Sequence, residues 1–188
     1  MKRRTLTLAM AAGFTVPRIV LAADDKKDKE RADYRKAADD ALAAVYKVQP
    51  AARKAVESAA GYAAFSNFGV KILVAGSGTG KGVAVDNKTK AGTYMNMAEV
   101  QAGLGIGVKK FKLVWVFETP AALDKFVNSG WEIGAQATAS AKAGDKGAAY
   151  QGAVSVSPGV WLYQVSGNSL ALELTAKGTK YYKDSDLN

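Results

Sequence analysis

The sequence predicts an α+β domain: a strongly curved, mostly antiparallel β-sheet or barrel-like core, with helices at the N-terminus and one short inserted helix. Three observations predict it. Glycine is almost confined to one part of the chain, with none between Asp24 and Ala60 and 18 of the 19 from Gly61 onward. Apolar residues recur at three- and four-residue steps before that boundary and at two-residue steps after it, the periods of helix and strand. Small residues line one face of some of the strand segments, the condition for sharp curvature or close backbone approach.

The first element is an address. Residues 1–23 run from Lys2-Arg3-Arg4 through an apolar stretch, Thr5 to Val16, to a small-residue end, the layout of a secretory signal peptide with cleavage expected after Ala22 or Ala23. The apolar stretch is too short for a permanent bilayer anchor. Its removal takes away Lys2, Arg3, Arg4 and Arg18 and no acid, so net charge falls from +9 to +5. The basicity is therefore nearly half signal, which weakens any nucleic-acid reading. The mature protein is expected in the periplasm or outside the cell.

Residues 24–60 form the helical part. Tyr34, Ala38, Ala41, Leu42, Val45 and Val48 make one helical stripe, Gln49-Pro50 breaks it, and Ala52, Ala55, Val56 and Ala59 make a second that Gly61 stops. Residues 61–188 form the β-rich remainder of the same domain, with strands expected near 62–66, 69–75, 82–86, 91–95, 100–108, 111–118, 131–141, 148–156, 160–165 and 170–175. Turn residues separate them at Asp86-Asn87-Lys88, at Ser157-Pro158-Gly159 and at Ser166-Gly167-Asn168. The inserted helix has Thr119 to cap it, Pro120 in its first turn, and Leu123, Phe126 and Val127 as its apolar face. Two strands carry packing information. Gly103, Gly105 and Gly107 leave one face bare, whereas Phe111, Leu113, Trp115 and Phe117 load one face with core side chains.

The chain contains neither cysteine nor histidine. That removes the Ser-His-Asp triad, thiolate nucleophiles, disulfides and ordinary zinc sites. Carboxylate, lysine or tyrosine chemistry and backbone phosphate cradles remain. Ala75-Gly76-Ser77-Gly78-Thr79-Gly80-Lys81-Gly82 nearly spells a P-loop, but Ala75 and Gly82 replace its first glycine and its magnesium-binding hydroxyl. It also continues toward a strand, not a helix, so it reads as a glycine-rich strand connection. The carboxylates after Gly61 form no evident acid/base couple, and nearly all of them read as solvated surface. No enzyme, cofactor or metal is expected. Lysines give a softer signal: Lys109, Lys110 and Lys112 bracket Phe111, and Lys71, Lys81, Lys88 and Lys90 lie on or beside the first hairpins. Cations beside apolar side chains suit anionic lipid headgroups.

From about Ala55 to Tyr182 the chain resembles the SYLF domain family. The resemblance lies in the order of Ala59-Ala60-Gly61-Tyr62-Ala63-Ala64-Phe65, the glycine-rich Gly76 to Val85, Gln101-Ala102-Gly103-Leu104-Gly105, the block Lys112 to Phe126, Trp131-Glu132-Ile133-Gly134, Val160-Trp161-Leu162-Tyr163 and Leu170-Ala171-Leu172-Glu173. This resemblance implies a non-enzymatic lipid-binding module. Eukaryotic members bind phosphoinositides through basic residues and an N-terminal amphipathic helix, and some reach actin through an SH3 domain that this chain lacks. The family helix maps onto residues 32–59, where Arg35, Lys36, Lys47, Arg53 and Lys54 are the basic candidates. With Lys71, Lys81, Lys109, Lys110 and Lys112 they make the expected lipid-binding set. The expected function is an exported protein bound peripherally to anionic phospholipid, with a phosphoinositide-like headgroup as ligand, no nucleic acid or actin partner, and an oligomer allowed. The alternative is a non-catalytic structural or interaction protein of the cell envelope.

Overall fold

The computed structural model describes residues 19–72, 75–102, 107–133, 150–167, 169–170 and 179–188. Two helices come first, α1 (Ile19–Val48) and α2 (Ala51–Ser58). Helix α1 continues across the expected cleavage point. Its stripe of Tyr34, Ala38, Ala41 and Val45 is buried, as are Ala52, Ala55 and Val56 of α2. Among the described residues no helix is long and apolar enough to cross a membrane.

The strands are β1 (Gly61–Ile72), β2 (Ala75–Asp86), β3 (Gly92–Ala102), β4 (Gly107–Phe117), β5 (Trp131–Ile133), β6 (Val154–Ser157), β7 (Val160–Ser166), β8 (Ser169–Leu170) and β9 (Thr179–Lys183). They form one antiparallel sheet in the order β5-β9-β3-β2-β1-β4-β7-β6, with β8 beside β7. Between β4 and β5 lies α3 (Pro120–Asn128), whose Thr119 cap accepts the Ala122 N–H at 3.2 Å and whose Leu123 and Phe126 are buried.

The sheet is rolled. Trp115 on β4 and Tyr181 on β9 lie four strand steps apart, about 19 Å on a flat sheet at ~4.8 Å per step. Their ring centroids are nevertheless 5.2 Å apart, and Phe65 on β1 meets Tyr181 at 5.0 Å. The concave face closes on Phe65, Met95, Met97, Trp115, Phe117, Leu162 and Tyr181, and Phe126 of α3 plugs it. The expected curved α+β architecture is the one observed. On the convex face α1 crosses β2, β1 and β4, and Tyr34, Ala38, Ala41 and Val45 pack on Ala64, Val83, Val114, Val116 and Tyr163.

Several expected boundaries are corrected. Segments 62–66 and 69–75 join as β1, because Asn67 and Phe68 continue the ladder to β2 and β4 without a break. The expected strand 100–108 is instead the end of β3 and the start of β4; residues 103–106 lie outside the described residues. The glycine-rich connection at 76–82 is itself strand, and β2 is the described strand with a bare face. Gly76, Gly78, Gly80 and Gly82 alternate on its concave side, in register with Lys71, Gly69, Asn67 and Phe65. A Cβ on Gly82 would overlap the Ala64 carbonyl and lie 2.7 Å from Phe65 Cδ1. Bare glycines let the side chains of β1 and β3 close over β2, and the sheet turns there. Strand β9 was not expected; it pairs β3 and β5. Most of the expected strands at 131–141 and 170–175 falls outside the described residues.

Candidate functional site

Strand register brings the site together. Ser66 on β1 stands opposite Lys81 on β2 and Lys112 on β4, and Lys81 stands opposite Asn96 on β3. Lys110, two residues before Lys112, shares its face. These side chains lie on the convex face, where α1 covers only part of the sheet. The uncovered part is a cleft of about 550 Å³ floored by Ser66, Thr79, Lys81, Asn96, Lys110 and Lys112 and walled by Glu30 and Tyr34 of α1.

Hydrogen bonds fix its geometry. Lys112 Nζ donates to Ser66 Oγ at 2.7 Å, and Ser66 Oγ donates to the Ala37 carbonyl at 2.7 Å, tying floor to wall. Lys81 Nζ lies 3.5 Å from Asp33 Oδ2 and 5.6 Å from the centre of the Tyr34 ring. The Tyr34 hydroxyl sits between Asn96 Oδ1 at 2.6 Å and Asp184 Oδ2 at 2.8 Å. Burial, helped by the Asp184 bond, pushes the Tyr34 hydroxyl well above the usual tyrosine range, so it stays a neutral donor. Burial alone would raise Asp184, but bonds from Tyr34, Asn96 and the N–H groups of Asp186 and Leu187 outweigh it and hold the carboxyl below its ordinary value.

Three of the ten expected basic residues, Lys81, Lys110 and Lys112, therefore meet in one cleft. Backbone spacing puts Lys110 about 7 Å from Lys112 and Lys81 about 10 Å from it, within reach of one phosphate by flexible four-carbon stems. The helix cations go elsewhere. Arg35 lies over Tyr94 at 5.4 Å, in a second cleft of about 300 Å³ on the other flank of α1. Lys36 pairs with Asp40 at 2.9 Å, a bond that raises the lysine and lowers the carboxyl. Arg53 lies over Tyr46 at 4.5 Å and 3.9 Å from Glu57. Lys47 and Lys54 are exposed on α1 and α2. Lys71 and Lys109 lie on β1 and β4, and their side chains are outside the described residues.

Glu30, Tyr34, Ser66 and Asn96 were not expected at the site. Period-two alternation signals that Lys110 and Lys112 share a face, but pairing Lys81 with them needs the register of three strands. Glu99 is an exception to the reading of nearly all the carboxylates as solvated surface: it is 3% exposed on the concave face and accepts from Asn67 Nδ2 at 2.7 Å. Gly78 leaves them room, since a Cβ there would lie 3.2 Å from both side chains.

The β2 segment that nearly spells a P-loop runs to Asp86 as strand and opens no helix, so its backbone does not form a phosphate-cradling loop there.

Comparison with known proteins agrees with the blocks of the resemblance from Gln101 onward. The family model described as "Ysc84: Las17-binding protein actin regulator" matches residues 98–188. A relative, beta cell expansion factor A of Aeromonas veronii, is 34% identical over 152 residues, covering 80% of this chain and 56% of that protein. The chain thus spans about half the length of the curated relative it matches. The matched residues contribute β4 with Lys110 and Lys112, α3, and every strand from β5 to β9, so over residues 98–188 the chain matches the Ysc84 family, the SYLF domain that its sequence blocks resemble.

Proposed function

We propose that this protein is an exported, non-catalytic lipid-binding protein that associates with anionic phospholipid, and that the cleft of Lys81, Lys110 and Lys112 receives the phosphate-bearing headgroup. SYLF domains bind lipid in general, and the convergence of these three lysines beside Ser66 and Tyr34 is the observation that carries the reading to this site. A phosphodiester or phosphomonoester between the lysines gains charge-assisted bonds from all three, with the Ser66 hydroxyl in reach of its oxygens. The signal-like N-terminus supports an exported location, where a bacterial envelope offers anionic phospholipid and no actin.

Co-sedimentation with vesicles tests the reading. The protein is expected to pellet with phosphatidylcholine vesicles that contain phosphatidylserine, to stay in solution with phosphatidylcholine alone, and to be released by high salt. At about 1 kcal/mol per basic residue near an anionic surface, replacing Lys81, Lys110 and Lys112 together by Ala weakens binding on the order of a hundredfold. Equal failure to bind both vesicle types removes the reading and favours an envelope interaction protein.

A further inference from the structure

We infer that the protein docks on the anionic bilayer through the convex sheet face that carries the lysine cleft, away from α2, with Val100 and Tyr182 entering the interfacial layer. The inference rests on the lipid reading above and assigns the surface and the side chains that make contact. Among the described residues, Val100 and Tyr182 are the large hydrophobic side chains left exposed, at 67% and 42%. Their positions agree. Tyr182 on β9 stands opposite Asn96 on β3, and Val100 lies four residues beyond Asn96, so both occupy the convex face that holds the lysine cleft.

Cations lie among them. Lys180 is opposite Ala98, between the levels of Tyr182 and Val100; Lys81 is opposite Asn96; and Lys110 and Lys112 follow on β4. Among the described residues, the acids beside this surface include Glu30 and Asp33 of α1 and Asp184, which accepts from Tyr34 and Asn96; Glu132 on β5 is the register partner of Lys180. Lysine heads reach the phosphate layer while an amphipathic Tyr and a Val sit just beneath it, the arrangement an interfacial surface requires. A bilayer fits this surface better than a protein does. The two apolar side chains stand about 13 Å apart along β3, four residues at ~3.3 Å each, with Ala98 and the charged Lys180 between them. They form no contiguous apolar centre of the kind a stable protein interface packs, whereas a fluid interface takes each side chain separately. Helix α2 lies toward the other end of the strands, where the Ala60 N–H bonds the Phe117 carbonyl and Asn87 Nδ2 the Val56 carbonyl, whereas α3 reaches β9 through the bond from Lys183 Nζ to Asn128 Oδ1 at 2.6 Å.

The chain has no cysteine, so a single introduced one can be labelled cleanly. Val100→Cys and Tyr182→Cys would each carry a polarity-sensitive fluorophore, with Lys54→Cys on α2 as the distant control. On vesicles of phosphatidylcholine and phosphatidylserine, the labels at 100 and 182 are expected to shift to the blue and to be quenched by doxyl-labelled lipid, while the label at 54 stays in water. Unlabelled Val100→Asp with Tyr182→Asp should lower vesicle binding about tenfold, from the loss of two inserted apolar groups, with the melting temperature little changed because both positions are exposed. Unshifted labels at 100 and 182 on a protein that still sediments with these vesicles overturn the orientation and leave the lipid reading intact. Failure of the unmodified protein to sediment with them overturns both.

Discussion

Lys81 is held from two sides, by the Asp33 carboxylate at 3.5 Å and by the face of the Tyr34 ring at 5.6 Å. Both partners belong to α1, and Glu30 lines the same wall one turn earlier. An anionic headgroup entering the cleft therefore competes with carboxylates already beside the cations. Because the Lys81–Asp33 pair is exposed, it contributes little to stability. Its removal should instead be read in affinity. Asp33→Asn with Glu30→Gln is expected to tighten binding to phosphatidylserine vesicles about two- to fivefold at low salt, with the gain fading at high salt, where exposed charges are screened. A titration of vesicle binding at two salt concentrations checks this, and weaker binding by the variant would show that the carboxylates support the site. The lysines and their spacing are plain in the sequence. Their acidic wall is not, since residues 30–34 and 81 meet only where a helix crosses a strand.

At the scale of the element, β2 explains how the sheet closes. A strand with Gly76, Gly78, Gly80 and Gly82 on one face has poor intrinsic strand propensity and reads as a loop. It is strand because β1 and β3 hold it by backbone bonds along its whole length and need the room that missing side chains leave. Gly82→Ala would force a methyl group against the Ala64 carbonyl and Phe65, and no rotamer relieves a Cβ. A loss of about 3 kcal/mol or more in denaturant unfolding is expected, against a much smaller loss for Val85→Ala at the half-buried end of the same strand. Helix α3 is the contrasting case. Its cap, its proline and its apolar face are local signals and appear where the sequence places them, whereas β9 has no local signal beyond alternation in Thr179 to Lys183 and exists because β3 would otherwise present an open edge.

Across the whole molecule, α1 is fastened to the C-terminal residues. Arg31 Nε donates to the Leu187 carbonyl at 3.1 Å, Asp184 collects Tyr34 and Asn96, and Asn188 bonds Tyr94 through both its side-chain oxygen and its nitrogen. This clasp holds the part of α1 that walls the lysine cleft. Asp184 has a depressed pKa in the folded protein, so its contribution is complete above the ordinary carboxylate value and is lost as pH falls through the depressed one. Wild type should exceed Asp184→Asn in unfolding free energy by roughly 1–3 kcal/mol at neutral pH, and the difference should shrink in acid, below about pH 4. Chemical denaturation of both proteins across pH measures it; a difference that is flat with pH would remove Asp184 from the clasp. The sequence by itself determined the helical and sheet halves, the aromatic face of β4, the capped helix and the pool of cations, because each follows from spacing along one segment. Tertiary structure decided that β2 is a strand, that the sheet rolls over it, that Glu99 is buried, and that, among the candidates whose side chains are described, Lys81, Lys110 and Lys112 share a cleft. The physical reason is register: hydrogen bonding between strands distant in the chain fixes which side chains stand side by side, and no local period carries that information.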